Sequence, residues 1–145
     1  IGSLINSTEG VLFVEMAALA DDLSFRYISL SDGTSNDAIK LYYTISSNSI
    51  TLQVRRGGSL EVLSTFAVSD ITDFNKIAVK WKVNDFAMWI GGVEVATDTS
   101  GSVPIGMNRL AFDDGSGVGE LFGKVKQLQV YNTALTDEQL TSLTS

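Results

Sequence analysis

Between Lys76 and Ala96 the chain writes out three β-strands joined by two tight reversals, and no other segment narrows so sharply what it can fold into. Ile77, Val79, Trp81 and Val83 alternate with Lys76, Ala78, Lys80 and Lys82, so one face of the first strand is expected to be apolar and the other wet. Asn84-Asp85 and Gly91-Gly92 are residue pairs that accept the positive φ needed by two-residue hairpin turns of the favoured hand. The segment is therefore an antiparallel meander, and by parity Trp81 belongs to the core.

The rest of the chain repeats this grammar. Gly10 to Ala18 is apolar nearly throughout, which suits a strand covered on both faces, and Asp21-Asp22 breaks it. Alternating strands follow around 25–30, 39–45, 50–55 and 60–68, separated by Asp32-Gly33, Ser46 to Ser49 and Arg56-Gly57-Gly58-Ser59, so about six strands precede the meander. After it, Thr97 to Gly106 holds the lone proline, Pro104, and is expected to be a loop. Asn108 to Phe112 makes a short strand, Asp113 to Gly119 a Gly-rich loop, and Leu121 to Tyr131 the last strand. In that strand Val125 and Leu128 differ in parity, which predicts a β-bulge or burial on both faces. Thr136 stands three residues before Gln139, with Asp137 and Glu138 between them, the pattern of a capping box at the start of a short C-terminal helix. Many short strands and almost no helix predict an all-β, antiparallel two-sheet jelly-roll sandwich, with a closed up-and-down barrel as the alternative.

Composition excludes several chemistries. A chain of 145 residues fits one domain, 1–145, and the absence of an initiator Met at Ile1 suggests a domain excised from a larger chain. With no Cys there is neither a disulfide framework nor a thiolate metal site, and with no His the usual base of a nucleophile triad is missing. A net charge of −7 opposes binding to a phosphate backbone. No apolar run is long enough for a membrane-spanning helix.

The meander, Asn108-Arg-Leu-Ala-Phe112, the Gly-rich loop and the final Val130-Tyr-Asn-Thr-Ala-Leu-Thr-Asp-Glu-Gln-Leu140 together resemble the concanavalin A-like lectin/glucanase superfamily in its laminin G-like branch. Phe86-Ala-Met-Trp-Ile-Gly-Gly stands where that family carries a strand ending in a tight turn. Taken with Gly10-Val-Leu-Phe-Val-Glu and Ile28-Ser-Leu-Ser-Asp-Gly33, the pattern is similar to domains of tail-fibre, tailspike and other virion proteins of marine bacteriophages. The resemblance implies a jelly roll that presents a rim of loops to a glycan or protein surface. It also implies a virion or extracellular setting, within an assembly that is often trimeric. Glucanase members carry a Glu-x-Asp-x-x-Glu stretch that this chain lacks. The expected role is thus non-enzymatic carbohydrate binding or adhesion in a phage particle. The alternatives are a carbohydrate-binding module of a secreted bacterial polysaccharide-degrading enzyme, a purely structural decoration domain, and an active hydrolase or lyase.

Particular residues can be attached to these roles. Catalysis would need two facing carboxylates, but Glu15, Glu61 and Glu94 sit singly inside strands and most Asp residues lie in turns. Calcium prefers several oxygen ligands from loops, which makes Asp113 and Asp114 the leading candidates, with Asp21, Asp22 and Asp32 as contributors. The alternative is that these Asp residues satisfy their own turns. For glycan binding, an exposed aromatic with fixed polar groups is needed. Trp89 and Tyr42 have outward parity, and Arg26, Arg55, Lys80 and Lys82 are assigned to the polar faces of their strands. Trp89 could instead pack under a loop, as the resemblance implies for a bulky aromatic at that point, and long basic side chains also serve simply to cover sheet faces.

Overall fold

In the computed structural model, which describes residues 2–145, the apolar run after Glu9 forms β1 (Glu9–Ala18), buried along nearly all its length because both of its faces are covered. It lies between β6 (Asn75–Lys82) and β10 (Gly123–Tyr131), and β7 (Phe86–Ile90) and β8 (Val93–Asp98) complete a five-stranded sheet in the order β10-β1-β6-β7-β8. The second sheet takes β2 (Arg26–Ser31), β3 (Ala38–Tyr43), β4 (Ser49–Arg56), β5 (Ser59–Ala67) and β9 (Arg109–Ala111) in the order β5-β4-β3-β2-β9. All strand pairings within both sheets are antiparallel. Five strands, not six, precede the meander, one for each of the five segments that the sequence pattern marks out.

Between the sheets, Leu12, Val14 and Met16 of β1 and Ile77, Val79 and Trp81 of β6 meet Ile28, Leu30, Ile39, Leu41, Ile50 and Leu52 in one apolar core. Burial of so many large side chains is the main stabilising term of such a sandwich. Trp81 also donates its indole N–H to the Asn6 carbonyl at 2.9 Å, so its one polar atom is satisfied inside.

The meander differs from its sequence pattern in two places. Val83 lies beyond the end of β6 and is exposed, because the reversal is made at Val83-Asn84 rather than Asn84-Asp85. Asn84 supplies the positive φ of 57°, and the Asp85 N–H donates to the Lys82 carbonyl at 2.9 Å. The second reversal follows expectation, with Gly91 and Gly92 at φ 59° and 84°. The face expected to be wet is buried at Ala78 and Lys80, and Lys80 reaches Asp85 at 2.8 Å.

What covers that face is the C-terminal helix α1 (Asp137–Thr144). Thr136 accepts from the Gln139 N–H at 3.2 Å while Gln139 accepts from the Thr136 N–H at 2.9 Å, closing the predicted capping box. Leu140 then packs onto Val11, Phe13, Ala78, Ala87 and Trp89 on the outer side of the first sheet, with Leu135 and Leu143 around them. The β10 bulge is also present: Gln127 pairs with Glu15 and Val125 with Met16, leaving Lys126 as the extra residue. One inserted residue turns Val125 and Leu128 to the same side despite their opposite parity.

Candidate functional site

With α1 laid over one sheet, the outer face of the other is the broad strand surface left uncovered by a helix. Its side chains can be placed by register. Ala111, Ser29, Lys40, Gln53 and Leu63 form one row across the strands, Tyr27, Tyr42, Thr51 and Thr65 the next, and Arg109, Ser31, Ala38, Arg55 and Leu60 a third. The core is filled by the alternate residues Ile28, Leu30, Ile39, Leu41, Ile50, Leu52 and Val54, so this face is free to carry polar chemistry. No ligand-sized pocket occurs among the described residues. Although no helix covers this face, Ser29, Ser31, Ala38, Lys40, Tyr42 and Thr51 are buried on it, and Gln53 and Arg55 are half-buried.

Three aromatic rings mark one end of the face. Tyr27 and Tyr42, direct cross-strand partners, stand 4.4 Å apart between ring centroids, and half-exposed Phe25 lies 6.2 Å from Tyr27 and 6.1 Å from Tyr42. Of the three rings Phe25 is exposed, Tyr27 is half-buried and Tyr42 is buried beneath them. The loop from Asp113 to Gly119 closes over the same end. The Tyr27 N–H donates to the Gly119 carbonyl at 2.9 Å. A Cβ on Gly119 would meet the Tyr27 ring at 2.5 Å, and one on Gly115 the Thr34 carbonyl at 2.6 Å, so only glycines allow the loop to lie this close.

The charges on this face are few and partly desolvated. Lys40 is buried, donates to the Ser35 hydroxyl, and points toward the Tyr27 ring, 6.0 Å from its centroid. Burial lowers the Lys40 pKa, Asp114 opposing the shift and Arg55 adding to it. Burial pushes the Tyr42 hydroxyl up to about 12, reinforced by Tyr27, and raises Tyr27 as well, reinforced by Asp114. Asp114 is held below the usual carboxylate range. Its burial works against ionisation, but the Ser116 hydroxyl, the N–H groups of Ser116 and Val118, and the Lys40 charge outweigh it. Arg55 donates to the Gly58 carbonyl at 2.8 Å, which occupies one of its five donors. Ser29 has a buried hydroxyl without a hydrogen-bond partner.

The residues singled out from sequence scatter. Tyr42 and Arg55 do lie on this face, two rows apart, but Tyr42 is buried at 6% exposed rather than presented, and Arg55 is half-buried. Trp89 does not: its outward parity is correct, but outward on that sheet means beneath α1, where it is 7% exposed against Leu140. Arg26 shares the parity of Ile28 and Leu30, so it projects to the other side of its sheet, bonds Asp22 at 3.0 Å and lies over the Phe122 ring at 4.3 Å. Lys80 and Lys82 belong to the helix-covered sheet. Tyr27, Lys40, Phe25 and Gln53 were not singled out, because parity within one strand cannot show which residues of different strands stand side by side. The pairing of Tyr27 with Tyr42 across the 32–37 turn is the missing information.

The five Asp residues proposed for calcium do not converge. Among the described residues no three acidic side chains gather around one point. Asp21 accepts from Ser47 and Asn48, Asp22 from Arg26 and Ser24, Asp32 from Thr34, Asp113 from Gly115, and Asp114 from Ser116 and Val118. These are the bonds of Asp residues stabilising their own turns and neighbouring loops. A calcium ion would have to draw most of its ligands from carbonyls and water. Calcium at Asp113-Asp114 is thus a proposal that a melting curve with and without the ion decides. Of the strand glutamates, Glu15 is held by Gln127 at 3.1 Å and Glu61 accepts from the Ser102 N–H at 3.2 Å.

The sequence matches no family profile and no curated protein. Solved structures do match. The carbohydrate-binding module CBM40 of the Ruminococcus gnavus IT-sialidase, bound to α2,3 sialyllactose, superposes with a TM-score of 0.77 at 16% identity, covering 97% of this chain and 84% of that one. Domain 4 of AbnA, an extracellular GH43 arabinanase from Geobacillus stearothermophilus in complex with arabinotriose, gives 0.76 at 17% identity over 98% and 69%. The NanB sialidase of Streptococcus pneumoniae gives 0.75 at 17% identity, this chain spanning 25% of its length. The fold is therefore a two-sheet jelly-roll sandwich, shared with these solved structures.

Proposed function

We propose that this protein is a non-catalytic carbohydrate-binding module that takes a glycan on the open sheet. The observation that carries the proposal is the exposed Phe25 ring beside half-buried Tyr27, at one end of a strand face that no helix covers and that also carries half-buried Gln53 and Arg55. Aromatic faces stack on the apolar side of a sugar ring, and a few fixed donors and acceptors select its hydroxyl pattern. The complexes of similar modules with sialyllactose and arabinotriose support a saccharide as the ligand class.

For the parent context, a module attached to a secreted polysaccharide-degrading enzyme is the better supported of the two settings, since the similar structures described above belong to two sialidases and an extracellular arabinanase. None of them comes from a virion, so the phage setting and its trimeric assembly rest on sequence resemblance alone. A purely structural decoration domain is the outcome if no saccharide binds. A glycan array, followed by titration of each hit against the wild type and Phe25→Ala, tests the proposal. Binding that Phe25→Ala weakens supports it, and an array without hits removes it.

A further inference from the structure

We propose that the free edge of β5 is a docking surface for a second copy of this chain, the two β5 strands pairing antiparallel about a two-fold axis. The inference is independent of the glycan reading above. Among the described residues the two sheets end in four edge strands, β10 and β8 in one and β5 and β9 in the other. An exposed edge carries a row of unpaired N–H and C=O groups that another strand can take up, and proteins blunt such edges with charges, bulges or shortness. Three of the four are blunted. β10 has Lys124 and Lys126, with Lys126 at its bulge. β8 is six residues long, contains Glu94 and Asp98, and is interrupted at Val95, which has no partner between the Trp89–Glu94 and Met88–Ala96 pairs. β9 has three residues, one of them Arg109.

The edge of β5 has none of these protections over most of its length. The strand is nine residues long, contains no proline or lysine, and has Glu61 as its one charge. Its irregularity also falls at Glu61, which has no partner between the Leu60–Arg55 and Val62–Val54 pairs and whose carboxylate accepts from the Ser102 N–H. Over residues 62–67 the pairing with β4 is regular, so the opposite edge of that segment is an uninterrupted, uncharged template. Leu60, Leu63 and Phe66 are exposed along the strand.

This strip is complementary to itself. Antiparallel pairing about an axis normal to the sheet sets residues of equal parity opposite one another. With the axis at Ser64, each Val62 stands opposite the partner's Phe66, each Leu63 opposite the partner's Thr65 and each Glu61 opposite the partner's Ala67. No carboxylate meets a like charge there, in a molecule whose net charge of −7 opposes self-association elsewhere. Phe66, paired with Ile50 on its own sheet, gains an apolar neighbour on its open side. The pairing joins five strands from each copy into one continuous sheet, with both helix-free faces on the same side. Because the same strip serves both copies, the contact closes at a dimer. One strand pair belongs to the small, reversible interfaces below about 1,200 Å².

The test is sedimentation equilibrium of the intact protein from about 10 μM to about 1 mM, the affinity range of small interfaces, with amide hydrogen exchange at both ends of the range. A monomer–dimer equilibrium is expected, and residues 62–67 should exchange more slowly at the higher concentration. Leu63→Lys places a charge on an exposed position of both strands close to the axis and should weaken dimerisation about fivefold or more. Ala67→Lys, at another exposed position of the same edge, takes its place if Leu63→Lys proves poorly folded. Val83→Lys, at a comparably exposed residue beyond the end of β6, should leave the equilibrium unchanged. A monomer at every concentration, a dimer indifferent to lysine on β5, or growth beyond two copies overturns the inference. Each of these outcomes leaves carbohydrate binding standing, since the glycan array reads that separately.

Discussion

The two sheets of this sandwich are built alike and finished differently. Each has five antiparallel strands and gives one face to the shared core. On the outer side of the first, Val11, Phe13, Ala78, Ala87 and Trp89 make a second apolar cluster, and α1 seals it through Leu140. On the outer side of the second, the corresponding positions are Ser29, Lys40, Tyr42, Gln53 and Arg55, and no helix lies across them. A face that must be covered is written in apolar residues, and a face meant to meet a polar partner is not. On the proposed reading, one outer face serves stability and the other recognition.

The largest effect should come from unsealing the first face. Leu140→Ala removes a fully buried side chain from the helix and should destabilise the protein by roughly 2–5 kcal/mol, read by urea denaturation, without changing affinity for any glycan that binds. Next, Phe25→Ala should weaken glycan binding by about tenfold or more, as removal of an exposed aromatic anchor does in other interfaces, measured by titration calorimetry. If Leu140→Ala abolished binding in a still-folded protein, the separation of roles would fail. A smaller effect is expected of Thr136→Ala, which deletes one half of the capping box and should cost about 1 kcal/mol by the same denaturation assay, again sparing affinity.

Alkaline pH probes the open face from another side. The Tyr42 hydroxyl keeps its proton in the folded state up to about 12, whereas in the unfolded chain it ionises near 10. The folded state therefore holds more protons across that interval. The stability contributed by the neutral hydroxyl is fully present below pH 10 and is lost as pH rises toward 12, so denaturation midpoints should fall over that range. Tyr42→Phe should flatten the fall. The smallest effect is predicted for Arg26→Ala, which should leave glycan affinity unchanged because Arg26 belongs to the other side of its sheet.

How much of this was legible in the sequence follows from what local patterns encode. Gly91-Gly92, the capping box of Thr136 and Gln139, and the bulge between Val125 and Leu128 were readable because each is settled within a few residues. Two-sheet architecture was readable from strand count and spacing. Which outer face stays open was not, since it depends on where α1 docks, and this is why Trp89 and Lys80 read as outward and proved covered. Val83 was misassigned because apolar alternation continues one residue past the last paired position of β6. The site itself is a property of register: Tyr27, Lys40 and Tyr42 become neighbours only when β2 and β3 pair as they do.

The most direct test of the division between the faces is an amide chemical-shift map of the isotopically labelled protein, titrated with the best ligand from a glycan array. The account predicts shifts concentrated at Tyr27, Lys40, Tyr42, Gln53 and Arg55 and in the 113–119 loop, with α1 and Trp89 silent. Shifts centred on α1 and the Trp89 side of the sandwich would contradict it.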